Sequence, residues 1–351
     1  MKTALITGIT GQDGAYLSRL LLKNDYRVIG LVRSNKKATL SGLQYLGIEK
    51  EVVFEECDLL DMPQLIRLLR LYEPTVVYNL AAQSSVSMSF KQPVGTLNFN
   101  ITSVLNLLES IRLVNPAIRF YQASSSEMFG RVLNLPVSEQ TPLHPLSPYA
   151  ISKATAHWMA VNYREAYGLF TCCGILFNHD SYLRQSTFFT KKVIQDAIAI
   201  KYQGKKQLEV GNIEVKRDFG YAPKYVEAMY LMMTKDKPAD FLICSGQSVL
   251  LRDIIVHVFN RLEIPLSKIV VNPAFYRPTD IEDMYGCPDK ARLELGWDNP
   301  MSYFDALDLM LAEELYNSKL SGIAPILLNG KPIYPKQGRA KNATVGAPNI
   351  R

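Results

Sequence analysis

Apolar residues in the first half of the chain fall into short runs, over residues 3–7, 27–32, 52–55, 76–79, 119–122 and 170–176. Between them lie longer stretches whose apolar positions recur at helical spacing, near 13–24, 62–71, 95–114 and 148–167. Short strand-like runs alternating with helices predict parallel strands joined by crossover helices. The expected fold class is therefore α/β, a doubly wound parallel sheet whose ligand crevice lies beyond the carboxyl ends of its strands.

After about residue 178 the rhythm loosens. Helical patterns near 188–202, 222–235, 251–262 and 302–317 are separated by short strands and Pro-containing loops, which predicts a smaller α/β lobe that caps a substrate. We expect residues 1–178 to form the cofactor-binding domain, with the chain returning to it near 211–243. Residues 179–320 then form mainly the substrate lobe, interleaved with the first domain, and 321–351 a basic tail.

Composition narrows the classes without naming one. With 48% apolar and 21% charged residues, disorder, collagen-like repeats and coiled coil are excluded. No run approaches the ~18 consecutive apolar residues of a membrane span, and the amino terminus enters a strand pattern at once. A cytoplasmic protein is expected, with no membrane partner. The five cysteines lack metal-ligand spacing, and Cys172 and Cys173 sit in an apolar run, so reduced thiols are expected. The formal charge is +6, but the last 31 residues hold five cations and no acid, which leaves the body at 34 minus 33, or +1. A solvated tail is the expectation there, and nucleic acid is not.

The first run leads into Gly8-Ile9-Thr10-Gly11-Gln12-Asp13-Gly14, which opens straight onto a helical stretch. Glycines let the backbone turn tightly and approach a pyrophosphate, while free amides and the positive end of the helix attract it. A dinucleotide on a Rossmann-type sheet is expected, touching Gly8, Thr10, Gly11, Gln12, Asp13 and Gly14. The second run ends at Arg33-Ser34, with no acid to hold a ribose 2′-hydroxyl. Arg33 and Ser34, with Lys36 and Lys37 downstream, suit a 2′-phosphate, so NADP is expected rather than NAD; a solvated basic loop is the bland alternative. Asp58 and Leu59 are placed for the adenine, and Leu80, Ala81, Ala82, Gln83 and Ser84 pass beside the cofactor.

Tyr149 and Lys153 are four residues apart and share a face if their segment is helical. A phenol titrating near 10 is a poor base, but an ammonium a few ångströms away stabilises the phenolate. The segment Gln122-Ala-Ser-Ser-Ser-Glu-Met-Phe-Gly130 reaches the same sheet edge. There Ser125 is placed to bond a substrate hydroxyl under oxidation, and Glu127 to move a second proton. Read blandly, the pair is a surface contact, Ser125 a turn cap and Glu127 a solvated acid.

These residues resemble the extended short-chain dehydrogenase/reductase family, in its nucleotide-sugar dehydratase branch. The likeness is carried in order by the glycine turn, Leu80-Ala-Ala-Gln-Ser84, Ser124-Ser-Ser-Glu127, Ser147-Pro-Tyr-Ala-Ile-Ser-Lys153, Asn162-Tyr-Arg-Glu-Ala-Tyr-Gly168, Gly174-Ile-Leu-Phe-Asn-His179, Gly211-Asn212, Lys216-Arg-Asp218 and Arg277-Pro-Thr279. It spans roughly residues 1–320.

The resemblance implies that Ser125, Glu127, Tyr149 and Lys153 are catalytic, with Lys153 also placing the cofactor, and that His179 and Arg184 meet the nicotinamide half of NADP. It implies that Asn178, Lys192, Arg217 and Arg277 hold the GDP part of a GDP-sugar, with Glu282 at its ribose or base and Ser84 beside the sugar. Converging cations fit a diphosphate. The implied reaction oxidises C4, removes water across C5–C6 and returns hydride to C6 of GDP-mannose or a relative. It implies a homodimer or homotetramer. No metal is expected, because the four histidines lack ligand spacing and the nicotinamide is the electron sink.

The chain departs from the pattern in places. Ser34 stands where a second arginine is usual, and the loop through Leu43 lacks the usual Ser-Ser-Phe-Asn, which bears on cofactor choice and tetramer contacts. Ser85 stands for a common His, Gly95 for a Tyr and Tyr182-Leu183 for Pro-Arg; a resized sugar pocket would admit a GDP-manno-heptose. A nucleotide-sugar epimerase or reductase, and a silent NADP-binding scaffold, remain as competing readings.

Overall fold

In the computed structural model, which describes residues 1–34, 39–318, 326–328 and 331–332, the chain begins β1 (Lys2–Thr7), α1 (Gln12–Lys23), β2 (Tyr26–Val32), α2 (Ser41–Tyr45), β3 (Val53–Glu56), α3 (Met62–Tyr72), β4 (Val76–Asn79). It continues α4 (Val86–Lys91), α5 (Pro93–Val114), β5 (Arg119–Ser125), α6 (Pro148–Tyr167) and β6 (Thr171–Leu176). Lys36, Lys37 and nearly all of the basic tail lie outside the described residues.

These six strands and β10 (Phe241–Ile243) pair in parallel in the order β10-β6-β5-β4-β1-β2-β3. The sheet is the expected doubly wound one. Its inner strands are buried because helices cover both faces, while the edge strand β3 is half-exposed. Leu65, Leu68, Val104, Leu107 and Ala156 from α3, α5 and α6 share one core with the sheet; Leu17 and Leu21 of α1 and Val226 and Met229 of α8 (Ala222–Met232) share the other. The order reverses between β1 and β4, and the crevice opens there.

The lobe carries a three-stranded sheet in which β9 (Lys216–Tyr221) lies between β7 (Asn178–Asp180), parallel, and β11 (Ser248–Leu250), antiparallel. A second pair joins β8 (Leu208–Val210) to β12 (Ile269–Val271). Helices α7 (Phe189–Tyr202), α9 (Leu251–Arg261) and α10 (Tyr303–Asn317) close over them through Val193, Ile194, Ile254, Phe259, Leu307 and Met310. The chain returns to the large sheet through α8 and β10, and Ala291, Leu295 and Trp297 pack into the same core; β9 pairs inside the lobe.

Candidate active site

The phosphate turn is built by sterics. Gly8 sits at φ 70°, where only glycine is unstrained, and a Cβ there would lie 2.8 Å from the Ala81 nitrogen. Thr7 Oγ1 holds that neighbouring loop, donating to Asn79 at 2.7 Å and accepting from the Leu80 and Ala81 amides at 3.1 Å. At Gly14 a Cβ would fall 2.4 Å from the Gly8 carbonyl oxygen. Gly11 caps α1 without a side-chain acceptor, so the first-turn amides keep their capacity for an anion. A cleft of about 1160 Å³ runs from Gly8, Thr10, Gly11 and Gln12 past Leu80–Ala82 to Arg33, Ser34, Asp58 and Leu59. Its volume, its glycine floor and its cationic far end fit a dinucleotide.

Phe99 and Cys57 are among the residues lining this cleft that sequence reasoning passed over. The ring of Phe99 lies 5.5 Å from the Arg33 guanidinium, and Cys57 is buried beneath the adenine end. Gln83 behaves differently from expectation. Its side chain folds onto Ser85, donating to the Ser85 carbonyl at 3.2 Å and accepting its amide at 2.7 Å, and it does not line the cleft.

Beyond the turn, a pocket of about 290 Å³ gathers Ser84, Ser125, Glu127, Tyr149, Lys153, Asn178, His179, Arg184 and Arg277. The catalytic helix starts sharply: the Ser147 hydroxyl accepts the Ala150 amide at 3.0 Å, Pro148 takes the first position, and Gly168 closes the far end at φ 68°. That fixes Tyr149 and Lys153 on the face against β5. Lys153 Nζ donates to the Ala123 carbonyl at 2.8 Å and lies 5.9 Å from the Tyr149 ring centre. Burial pushes Lys153 down to about 8, with Asp13 opposing. Burial likewise pushes the Tyr149 phenol up to about 12, against a pull downward from the Ser125 hydroxyl. The protein alone therefore does not deliver the neutral-pH phenolate expected from the pair, because burial disfavours the charged phenolate.

Asp13 does not stand alone beside the phosphate site. His179 Nε2 meets its carboxylate at 3.0 Å, and His179 Nδ1 bonds the Phe177 carbonyl at 2.7 Å while its ring stacks on Tyr225. Burial works against both charges, but their attraction wins: Asp13 is lowered and His179 raised. Arg184 pairs with Asp180 at 3.0 Å and lies 3.7 Å from the Phe188 ring, facing both clefts.

A third cavity, about 210 Å³, continues from Glu127, Asn178 and Arg184 to Arg217 and Arg277. Arg217 is buried against Asp280 at 2.7 Å, and Arg277 lies 3.5 Å from the same carboxylate. Two expected substrate contacts fall outside this lining. Lys192 donates to the Glu209 carbonyl and sits 5.4 Å from the Phe275 ring, which forms the wall; Glu282 is exposed, with its carbonyl taken by the Lys216 amide at 2.8 Å. Asn178 lines the cavity but its amide donates to the Asp218 carbonyl at 3.2 Å.

A family model for GDP-mannose 4,6 dehydratase matches residues 5–310. The chain belongs to the GDP-mannose 4,6-dehydratase family. GDP-mannose 4,6 dehydratase 1 of Arabidopsis thaliana is 40% identical over 91% of this chain and 91% of its own length. GDP-mannose 4,6 dehydratase 2 of Caenorhabditis elegans is 37% identical over 90% and 89%. Among solved structures, dTDP-glucose 4,6-dehydratase of Bacillus anthracis, determined with NAD, superposes at a TM-score of 0.80 with 18% identity, covering 91% of this chain and 98% of that one. UDP-glucose 4-epimerase of Thermotoga maritima reaches 0.81 at 23% identity, covering 90% and 99%. These last two share the fold. Membership in the GDP-mannose 4,6-dehydratase family makes this an enzyme of the hydro-lyase class and sets aside the epimerase and silent-scaffold readings.

Proposed function

We propose that the chain is an NADP-dependent dehydratase that takes GDP-mannose to GDP-4-keto-6-deoxymannose. The observation that carries this reading is Glu127 sharing one pocket with Ser125, Tyr149 and Lys153 at the end of the dinucleotide cleft. A nicotinamide held by the Gly8–Gly14 turn would supply the electron sink for oxidation at C4 and reduction at C6. Ser125 and Tyr149 bond the sugar O4, and Tyr149 accepts its proton as C4 becomes a ketone. The ketone acidifies C5–H. Glu127 takes the C5 proton and passes one to the departing C6 hydroxyl, so that water leaves and a C5–C6 double bond forms; a proton is later restored at C5 from Tyr149 or solvent. Arg217 and Arg277 hold the diphosphate, and Arg184 stands between the two ligands.

The cofactor side of the proposal rests on Arg33 and Ser34 at the far end of the cleft, which suit a 2′-phosphate. Residues 1–178 with 222–243 form the cofactor-binding part, and the enzyme works as a cytoplasmic homo-oligomer. Mass spectrometry tests the reaction: wild type yields a product lighter by one water with no net cofactor turnover. Glu127→Gln retains cofactor reduction on mixing with GDP-mannose but forms no dehydrated sugar; normal product from that variant overturns the assignment. The small hydroxyl residues Ser85 and Ser87 line the pocket beside Ser84 and favour a second reading, a GDP-manno-heptose, which turnover of the two sugars side by side decides.

A further inference from the structure

The catalytic face of α6 runs one turn further than the family motif. Tyr149, Lys153 and His157 follow one another at intervals of four along it, so they point the same way. Each meets a different residue at the end of β5: the Ser125 hydroxyl lies against Tyr149, the Ala123 carbonyl accepts Lys153 Nζ at 2.8 Å, and Ser124 Oγ lies 3.1 Å from His157 Nδ1. His157 and Ser124 are both buried, and Ser124 borders the catalytic pocket. We propose that His157 is a positioning residue, which fixes Ser124 and with it the peptide that carries Ser125 toward Tyr149.

The surroundings define its working form. Ser124 faces it from β5, and Cys173 of β6 lies against its carbonyl at 3.9 Å. The Asp240–Arg164 ion pair acts on it through its charges, and the Trp158 ring packs edge-on at 5.4 Å. Burial holds its pKa below the ordinary value, with Asp240 opposing and Arg164 reinforcing. The neutral imidazole is thus the form present near pH 7. Protonation turns Nδ1 from a possible acceptor into a donor and adds a second cation one turn from Lys153, so acid disrupts both the Ser124 contact and the charge balance of the face.

The inference deepens the proposed reaction and rests on Tyr149 and Lys153 being its working pair, so Tyr149→Phe is the control: if that variant stays active, the site reading itself fails. With that control inactive, His157→Phe lowers kcat about tenfold, the size of one lost positioning hydrogen bond, and leaves KM for GDP-mannose and the Kd of NADPH, read by fluorescence, unchanged. His157→Asn, whose amide replaces Nδ1 without titrating, restores most of kcat and keeps it in acid below the ordinary histidine range, where wild type declines. Wild-type kcat in His157→Phe overturns the proposal. If the Phe variant does not fold, the Asn variant alone decides, and an acid limb identical to wild type overturns it as well.

Discussion

Two glycines in helices receive the same alanine and respond with opposite sign. At Gly95, in the first turn of α5, an added Cβ would meet nothing within 4 Å; at Gly14, in the first turn of α1, it would meet the Gly8 oxygen at 2.4 Å and Ile9 Cα at 2.5 Å. Helix propensity alone favours alanine at both by about 0.5–1 kcal/mol. At Gly95 that gain stands. At Gly14 the obstructing atoms are backbone and cannot rotate aside, so overpacking of about 1–3 kcal/mol reverses the sign. The loss is also local: relieving it moves the Gly8 carbonyl, and Gly8 is what lets the chain pass beneath Leu80 and Ala81. Urea unfolding with and without saturating NADP is the assay. Gly95→Ala unfolds at higher urea than wild type and is still protected by NADP; Gly14→Ala unfolds earlier, and its protection, about 2.7 kcal/mol at a hundredfold excess over Kd in wild type, is largely lost. A Gly14→Ala protein as stable as wild type, with NADP protection intact, would refute the steric reasoning.

Two further outcomes follow from charge. Because His179 is raised, its share of the Asp13 clasp is complete below its unfolded value and fades as pH climbs through the folded one; because Asp13 is lowered, its share fades only in acid. Once His179 loses its proton, Asp13 is left with the Gln12 amide and the Arg184 charge to offset its carboxylate beside the phosphate turn, so NADP affinity in wild type weakens as the pH rises past the ordinary histidine range, while Asp13→Asn gives a flat profile in calorimetric titration; parallel profiles would defeat this account. Arg33→Ala weakens NADPH about 10–100-fold and NADH much less, as expected for losing one charge-assisted phosphate contact, and equal losses in a fluorescence titration would remove Arg33 from the 2′-phosphate.

What was legible in the chain and what was not divides on physical grounds. Continuous apolar runs and helical spacing located the first six strands and α1, α3, α5 and α6 to within a few residues, because burial on both faces of a parallel sheet leaves a continuous signal; α2 and α4, five and six residues long, are too short to show a period. β10 escaped: three residues, Phe241–Ile243, are too few to show a period, and only their place beside β6 makes them a strand. β5 runs three residues longer than its apolar run, into Ser125, because pairing with β6 continues through the serines regardless of their polarity. The proposed catalytic set was legible because Tyr149 and Lys153 are local on one helix and Ser125 and Glu127 are two residues apart at and just past the end of β5. Partners 166 residues apart, such as Asp13 and His179, leave no trace in spacing. Gln83, Lys192 and Glu282 were placed by motif alone, and their side chains or backbones answer to nearer partners.

Those local contacts also decide when the site acquires its chemistry. Bringing a phenol from about 12 to about 7 takes roughly 7 kcal/mol. An ammonium 5.9 Å from the Tyr149 ring, at an effective dielectric constant of about 20, contributes about 3 kcal/mol, or some two pKa units. Lys153, pushed down to about 8, keeps most of its charge near pH 7, but the ammonium is held by the Ala123 carbonyl and gives the phenolate no direct hydrogen bond there. The remaining several kcal/mol must come from groups that enter the pocket with the ligands or from proton transfer in step with hydride transfer. The protein without them therefore holds Tyr149 as a neutral phenol. Base strength and electron sink are assembled together, so a sugar that reaches the pocket before the dinucleotide meets no base at O4.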